Sequence, residues 1–127
     1  MQPNTKGKKV LVIEDNQYIA KVITTNFQEE FKCETSSDPE IALGKLISGQ
    51  DHPDAIIINL NMKGMSGEKF LEEIRKNPHT EKLPIVMISS EKASSIRVKM
   101  FRKGVDDFVV KPFNPEELLV RVERLFK

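Results

Sequence analysis

A chain of 127 residues, 39% hydrophobic and 31% charged, has the size and composition of one folded domain and excludes a disordered or low-complexity polymer. Its 20 Lys and Arg nearly cancel its 19 Asp and Glu, leaving +1, so no one-signed field points to nucleic acid or to a membrane surface. No apolar run approaches the ~20 residues of a membrane helix, Met1 to Lys9 lacks the apolar core of a signal peptide, and the lone Cys33 excludes an internal disulfide; a cytoplasmic location is the default expectation.

In chain order, residues 1 to 7 are expected to form a loose tail, with the domain over 8 to 127. Val10-Leu11-Val12-Ile13 is a short, β-branched, continuously apolar run. Such runs mark strands buried on both faces. Ile19, Val22, Ile23, Phe27 and Phe31 follow at helical spacing. Cys33 to Ser36 is a weaker strand candidate, with Cys33 read as a small buried hydrophobe. Asp38-Pro39 reads as an N-cap and a proline at the first helical position, before the stripe Ala42, Leu43, Leu46 and Ile47.

Ala55-Ile56-Ile57-Ile58 is a second strong strand run. Phe70, Leu71 and Ile74 form the next helical stripe, ended by Asn77-Pro78. Ile85-Val86-Met87-Ile88 is another strand, and Ala93, Ile96 and Met100 make a thin helix after it. Phe108-Val109-Val110 is the last strand. Asn114-Pro115-Glu116-Glu117 then opens a helix with acidic residues at its positive end, carried on by Leu118, Leu119, Val122, Leu125 and Phe126.

The pattern is β-α repeated five times. It predicts a doubly wound α/β fold: a five-stranded parallel sheet with helices on both faces. Five units are too few for an eight-stranded barrel. By analogy with other open sheets, the strand order is expected to be 2-1-3-4-5.

Ligands of such sheets bind beyond the carboxyl ends of the strands. There the sequence has Glu14, Asp15 and Asn16, then Asn59, Leu60 and Asn61, then Ser89 and Ser90, then Lys111 and Pro112. Two adjacent carboxylates repel each other, which suggests a cation between them. Oxygen donors without His or Cys favour Mg²⁺ over zinc. The plainer reading is that Asp15 or Asn16 caps the following helix. Lys111 has the charge to pair with an anion or a carboxylate, and Ser89 the hydroxyl to donate to a phosphoryl oxygen.

These stretches together resemble the receiver domain of two-component response regulators, the CheY-like family with a flavodoxin-like three-layer sandwich. They are residues 10 to 16, 59 to 67 (Asn-Leu-Asn-Met-Lys-Gly-Met-Ser-Gly), 84 to 89 and 104 to 113. The resemblance spans residues 8 to 127. It implies a signalling module rather than an enzyme, with Mg²⁺ held by Glu14, Asp15, residue 59 and the backbone carbonyl of Asn61. It also implies that Ser89 and Lys111 contact a phosphoryl group, and that Ser89 and the aromatic Phe108 act as switch residues. Phe108 also reads as a plain core aromatic.

Two positions depart from the family pattern. Asn59 stands where the resemblance implies the aspartate that accepts phosphate. An amide oxygen carries no full negative charge, so acyl phosphate formation is blocked and Mg²⁺ binding is expected to weaken. Two origins suit the amide: evolved loss, giving a pseudo-receiver, or an introduced Asp→Asn change. Lys63 stands where proline is usual, which favours drift. It reads as a solvated side chain or as a cation partly replacing other charge. Ser66 is a remote alternative acceptor.

The resemblance implies a histidine kinase or phosphotransfer protein as partner if the native residue 59 is Asp. It also implies a downstream protein docking on the 92–127 face. Lys92, Arg97, Lys99, Arg102 and Lys103 make the segment 92–103 basic, a docking surface for an acidic protein or a solvated helix face. With no DNA-binding domain after Lys127, neither nucleic acid nor membrane is an expected partner of this domain alone. The competing readings are a structural adaptor with an unused site and a flavodoxin-like cofactor binder. The latter needs a Ser/Thr/Gly-rich phosphate loop where this chain has Glu14 and Asp15.

Overall fold

A computed structural model describes residues 5–127. Strands and helices alternate: β1 (Lys9–Ile13), α1 (Gln17–Phe27), β2 (Lys32–Ser36), α2 (Pro39–Ile47), β3 (Ala55–Asn59), α3 (Gly67–Lys76), β4 (Ile85–Ser89), α4 (Ser94–Arg102), β5 (Asp107–Val110) and α5 (Pro115–Arg124). The strands form one five-stranded parallel sheet in the order β2-β1-β3-β4-β5, as the repeat predicts.

The continuous apolar runs have a direct cause. Alternate residues of a strand face opposite sides of the sheet. Val10, Val12, Ile57, Val86, Ile88 and Val109 pack with Ile23 and Phe27 of α1 and Leu118 and Val122 of α5. Leu11, Ile13, Ile56, Ile58, Ile85, Met87 and Phe108 pack with Leu43 and Leu46 of α2, Phe70, Leu71 and Ile74 of α3, and Met100 of α4. Each fully buried Val, Ile or Leu stabilises the fold by about 1.5–3 kcal/mol.

The sequence signals for helix starts hold. Asp38 Oδ1 accepts from the backbone N–H of Glu40 and Ile41, and Asn114 Oδ1 accepts from Glu116 and Glu117. Asn16 caps α1 through Ile19 N–H. The weaker strand candidate is present as β2, and two details differ from expectation. Helix α1 ends at Phe27, so Phe31 is not helical; it is buried beyond the turn, its ring centroid 5.8 Å from that of Phe27. The faint signal of β2 reflects its place at the sheet edge, where polar side chains stay in water. Of the expected loose tail, residues 1–4 lie outside the described residues. Thr5, by contrast, is buried and donates to Glu30, and Gly7 N–H bonds the Glu30 carbonyl at 3.1 Å.

One hub was not legible in the sequence. The half-buried Arg75 guanidinium, on α3, donates to the carbonyls of Gly104 (2.9 Å), Glu81 (3.0 Å) and Leu83 (2.7 Å), and to Asp106 Oδ2 (3.1 Å). Asp106 Oδ2 also accepts from Ile85 N–H. Gly104, at φ +103°, lets its backbone approach; a Cβ there would lie 3.1 Å from Arg75 Nε.

The start of α3 is pressed against the end of β3. A Cβ on Gly67 would lie 2.7 Å from the Asn59 carbonyl oxygen and 2.8 Å from Leu60 Cα. Both neighbours are backbone, so neither can swing away. Gly67→Ala is therefore expected to destabilise by about 1–3 kcal/mol. Gly44, within α2, has nothing within 4 Å of its added Cβ, and Gly44→Ala is expected to stabilise by about 0.5–1 kcal/mol. Urea denaturation of both variants checks the opposite signs.

Candidate functional site

With both faces of the sheet covered, the polar residues at the carboxyl ends of the strands gather into one site. Glu14 follows β1 and is fixed by its backbone N–H to the Ser36 carbonyl at 3.0 Å. Its side chain is only 2% exposed. A carboxylate in that position needs donors. Asn59 Nδ2 donates to Glu14 Oε2 at 2.9 Å, Asn16 N–H donates to the same oxygen at 3.1 Å, and Lys111 Nζ lies 3.4 Å from Oε1.

The orientation of the Asn59 amide follows from its neighbours. Asn61 N–H can only donate, and Asn59 Oδ1 accepts it at 3.1 Å. The NH₂ group must then face Glu14, which can only accept. Asn59 thus bridges a backbone donor and a buried carboxylate, and all its neighbours are satisfied.

The acidic pair divides. Asp15 is exposed and its Oδ2 accepts from Lys63 N–H at 3.4 Å, while Glu14 turns inward. Among the described residues, no group of three or more His, Cys, Asp or Glu could hold a metal ion. The oxygens of Glu14, Asp15, Asn59 and Asn61 remain a hard-donor set suited to Mg²⁺. The set has two negative charges, Asn59 Oδ1 is engaged by Asn61, and Glu14 already holds three in-chain donors.

Ser89 closes the site from β4. It is fully buried; its hydroxyl accepts from Glu91 N–H at 2.9 Å and donates to Asn61 Oδ1 at 3.4 Å. Phe108 of β5 lies in the core cluster beneath α2, α3 and α4. The Lys111–Pro112 peptide that carries Lys111 is cis. Ser66 caps α3 through Lys69 N–H. A cleft of about 450 Å³ beside Lys111, lined by Tyr18, Ile19, Val22, Pro112 and Phe113, was not anticipated.

The basic segment is less available than its composition suggests. Lys99 pairs with Glu68 at 3.1 Å, and Lys103 pairs with Glu68 at 3.5 Å and with Glu72. Lys92, Arg97 and Arg102 make no ion pair among the described residues.

The family model for the response regulator receiver domain matches residues 10–123. The chain belongs to this family. Receiver domains are signalling modules of two-component systems, and this assignment displaces the flavodoxin-like cofactor reading. The chain is 32% identical over 123 residues to the phosphate regulon transcriptional regulatory protein PhoB of Rhizobium meliloti, covering 94% of this chain and 52% of that protein. It is 31% identical over 125 residues to the hybrid signal transduction histidine kinase D of Dictyostelium discoideum, covering 98% of this chain and 8% of that protein. The chain therefore spans about half or less of these curated relatives. Among solved structures, the Francisella response regulator 1452 receiver domain is similar with a TM-score of 0.86 at 29% identity, covering 94% of this chain and 97% of that one. The chemotaxis response regulator CheY4 of Vibrio cholerae gives 0.85 at 30% identity, covering 94% and 99%. In this receiver, no helix among the described residues is long and apolar enough to cross a membrane.

Two outcomes follow from the geometry. Asn59→Asp replaces a donor to buried Glu14 with a second carboxylate, and a loss of about 1–3 kcal/mol is expected in chelator at neutral pH, read by urea denaturation. Cys33 is half-buried on β2, and burial pushes its thiol up to about 11. A raised value keeps the thiol neutral, so alkylation by iodoacetamide near pH 8 is expected to run roughly a hundredfold slower in the folded chain than in urea.

Proposed function

We propose that this receiver, the domain over residues 8–127, signals by protein–protein contacts and takes no phosphate on residue 59. The supporting observation is that Asn59 donates to Glu14 at 2.9 Å and carries no nucleophilic carboxylate. The remaining residues suit the family chemistry. Ser89 presents a hydroxyl at the end of β4, and Lys111 a cation at the end of β5. In this reading they are the groups that would hold a phosphoryl oxygen if an acceptor stood between them. Phe108, packed against Met100 and Phe70 in one cluster, is the switch aromatic.

Magnesium fits this site at a disadvantage. Glu14, Asp15, the Asn59 amide oxygen and the Asn61 backbone carbonyl are the groups that would hold it. Bound there, the ion would neutralise the acidic pair. Asn59 Oδ1 already accepts from Asn61 N–H, so one lone pair is left for the ion while Nδ2 keeps its bond to Glu14. The amide also supplies one negative charge fewer than aspartate, so binding is weaker than in an aspartate-bearing receiver.

A histidine kinase or phosphotransfer protein is the natural partner of a form with Asp at 59. As written, a downstream protein docking on the 92–127 face must shift the domain between its states by binding alone. Moving such a balance from 1:99 to 99:1 takes about 5.5 kcal/mol of differential affinity. The location proposed is cytoplasmic. A second reading, an adaptor that never uses the site, draws support from the complete satisfaction of Glu14 within the chain.

Incubation with acetyl phosphate and Mg²⁺, followed by intact mass, tests the proposal. No phosphoryl group is expected on the chain as written. Asn59→Asp is expected to gain one, removable by hydroxylamine, and to recover stability when Mg²⁺ is added. Stoichiometric phosphorylation at Asn59 itself would overturn the reading. An Asn59→Asp variant that neither binds Mg²⁺ nor gains phosphate would favour the adaptor.

A further inference from the structure

Helix α4 is fastened unevenly. Its N-cap, Ala93, offers no side-chain hydrogen bond, and no acidic residue sits in the first turn. Residues 90–95 are all exposed. Met100 is its one buried residue, while Val98 and Phe101 face water. A helix of nine residues with so little buried surface and no cap is marginal without tertiary help.

Besides Met100 and the half-buried Ile96, which pack on the core, that help is electrostatic and comes from α3. Glu68 and Glu72 stand one turn apart on one face and meet Lys99 and Lys103, likewise one turn apart, on α4. The pairing with Lys103 holds Glu72 below the usual carboxylate range, and Glu72 in turn raises Lys103. Arg75, one turn beyond Glu72, continues the row by binding the Gly104 carbonyl and Asp106 just after α4. The first turn of α4 is held through half-buried Ile96 and makes no ion pair among the described residues.

We propose that Glu68 and Glu72 form an internal clamp on Lys99 and Lys103, so that α4 loosens when an acidic partner or salt competes for those lysines, whatever residue 59 does. The α3 carboxylates stand in for an acidic protein and mask two of the basic side chains of segment 92–103. Release frees the two lysines beside Val98 and Phe101, which are already exposed. This clamp does not depend on the phosphate reading of the site.

Residue-resolved amide exchange tests it on the intact chain. The reporters are Lys103 N–H, bonded to the Lys99 and Met100 carbonyls, Gly104 N–H, bonded to Phe101, and Val105 N–H, bonded to Met100. Raising NaCl to about 1 M, where charges are screened beyond about 3 Å, is expected to speed their exchange roughly fivefold while strand β3 is unchanged. Lys103→Glu is expected to do the same at low salt, and Glu72→Lys with Lys103→Glu to restore protection. Poly-glutamate added at low salt is expected to act as the salt does. Exchange unmoved by salt and by Lys103→Glu, or a charge swap that fails to restore it, would overturn the clamp; indifference to poly-glutamate would overturn the acidic partner.

Discussion

A parallel sheet buried on both faces leaves polar side chains no place except the ends of its strands, and the rest of this molecule follows from that constraint. Helices α1 and α5 cover one face, and α2, α3 and α4 the other. The interiors of β1, β3 and β4 are therefore Val, Ile, Leu, Met and Ala, while the edge strand β2 stays polar. Glu14, Asn59, Ser89 and Lys111 come at the carboxyl ends, and the strand order brings β1, β3, β4 and β5 side by side. Neighbouring strands are about 4.8 Å apart, so groups on successive strands meet without any special loop.

At that edge the dominant physical problem is a buried carboxylate. Glu14 is held by an amide, a backbone N–H and a lysine. Replacing an acidic neighbour by Asn59 turns a repulsive contact into a hydrogen bond. In the proposed reading, the same amide offers no nucleophilic carboxylate and one metal-binding charge fewer. Ser89 and Lys111 stand at neighbouring strand ends, while Asn59 is engaged in holding Glu14 and the Asn59–Asn61 turn together.

A different balance governs α4. The other helices sink whole stripes into the core, whereas α4 buries Met100, half-buries Ile96 and adds ion pairs to α3. Exposed ion pairs are each worth about 0–1 kcal/mol, so α4 is the element most readily moved by a competing charge. It follows β4, the strand that ends in Ser89, after the short exposed connection of residues 90–93.

The sequence by itself determined what depends on local pattern. The apolar runs of β1, β3, β4 and β5, the caps at Asp38 and Asn114, the edge set of Glu14, Asp15, Asn59, Ser89 and Lys111, and the family itself were all legible from residue type and spacing. Only the tertiary structure decided what depends on which groups meet across the chain. Phe31 leaves its helical stripe, Thr5 and Gly7 attach to Glu30, and Arg75 ties four distant groups together. The separation of Glu14 from Asp15, the direction of the Asn59 amide and the loss of Lys99 and Lys103 to α3 belong with them. The reason is physical: burial and secondary structure are written in the periodicity of one segment, whereas a hydrogen bond or an ion pair is fixed by the distance between two.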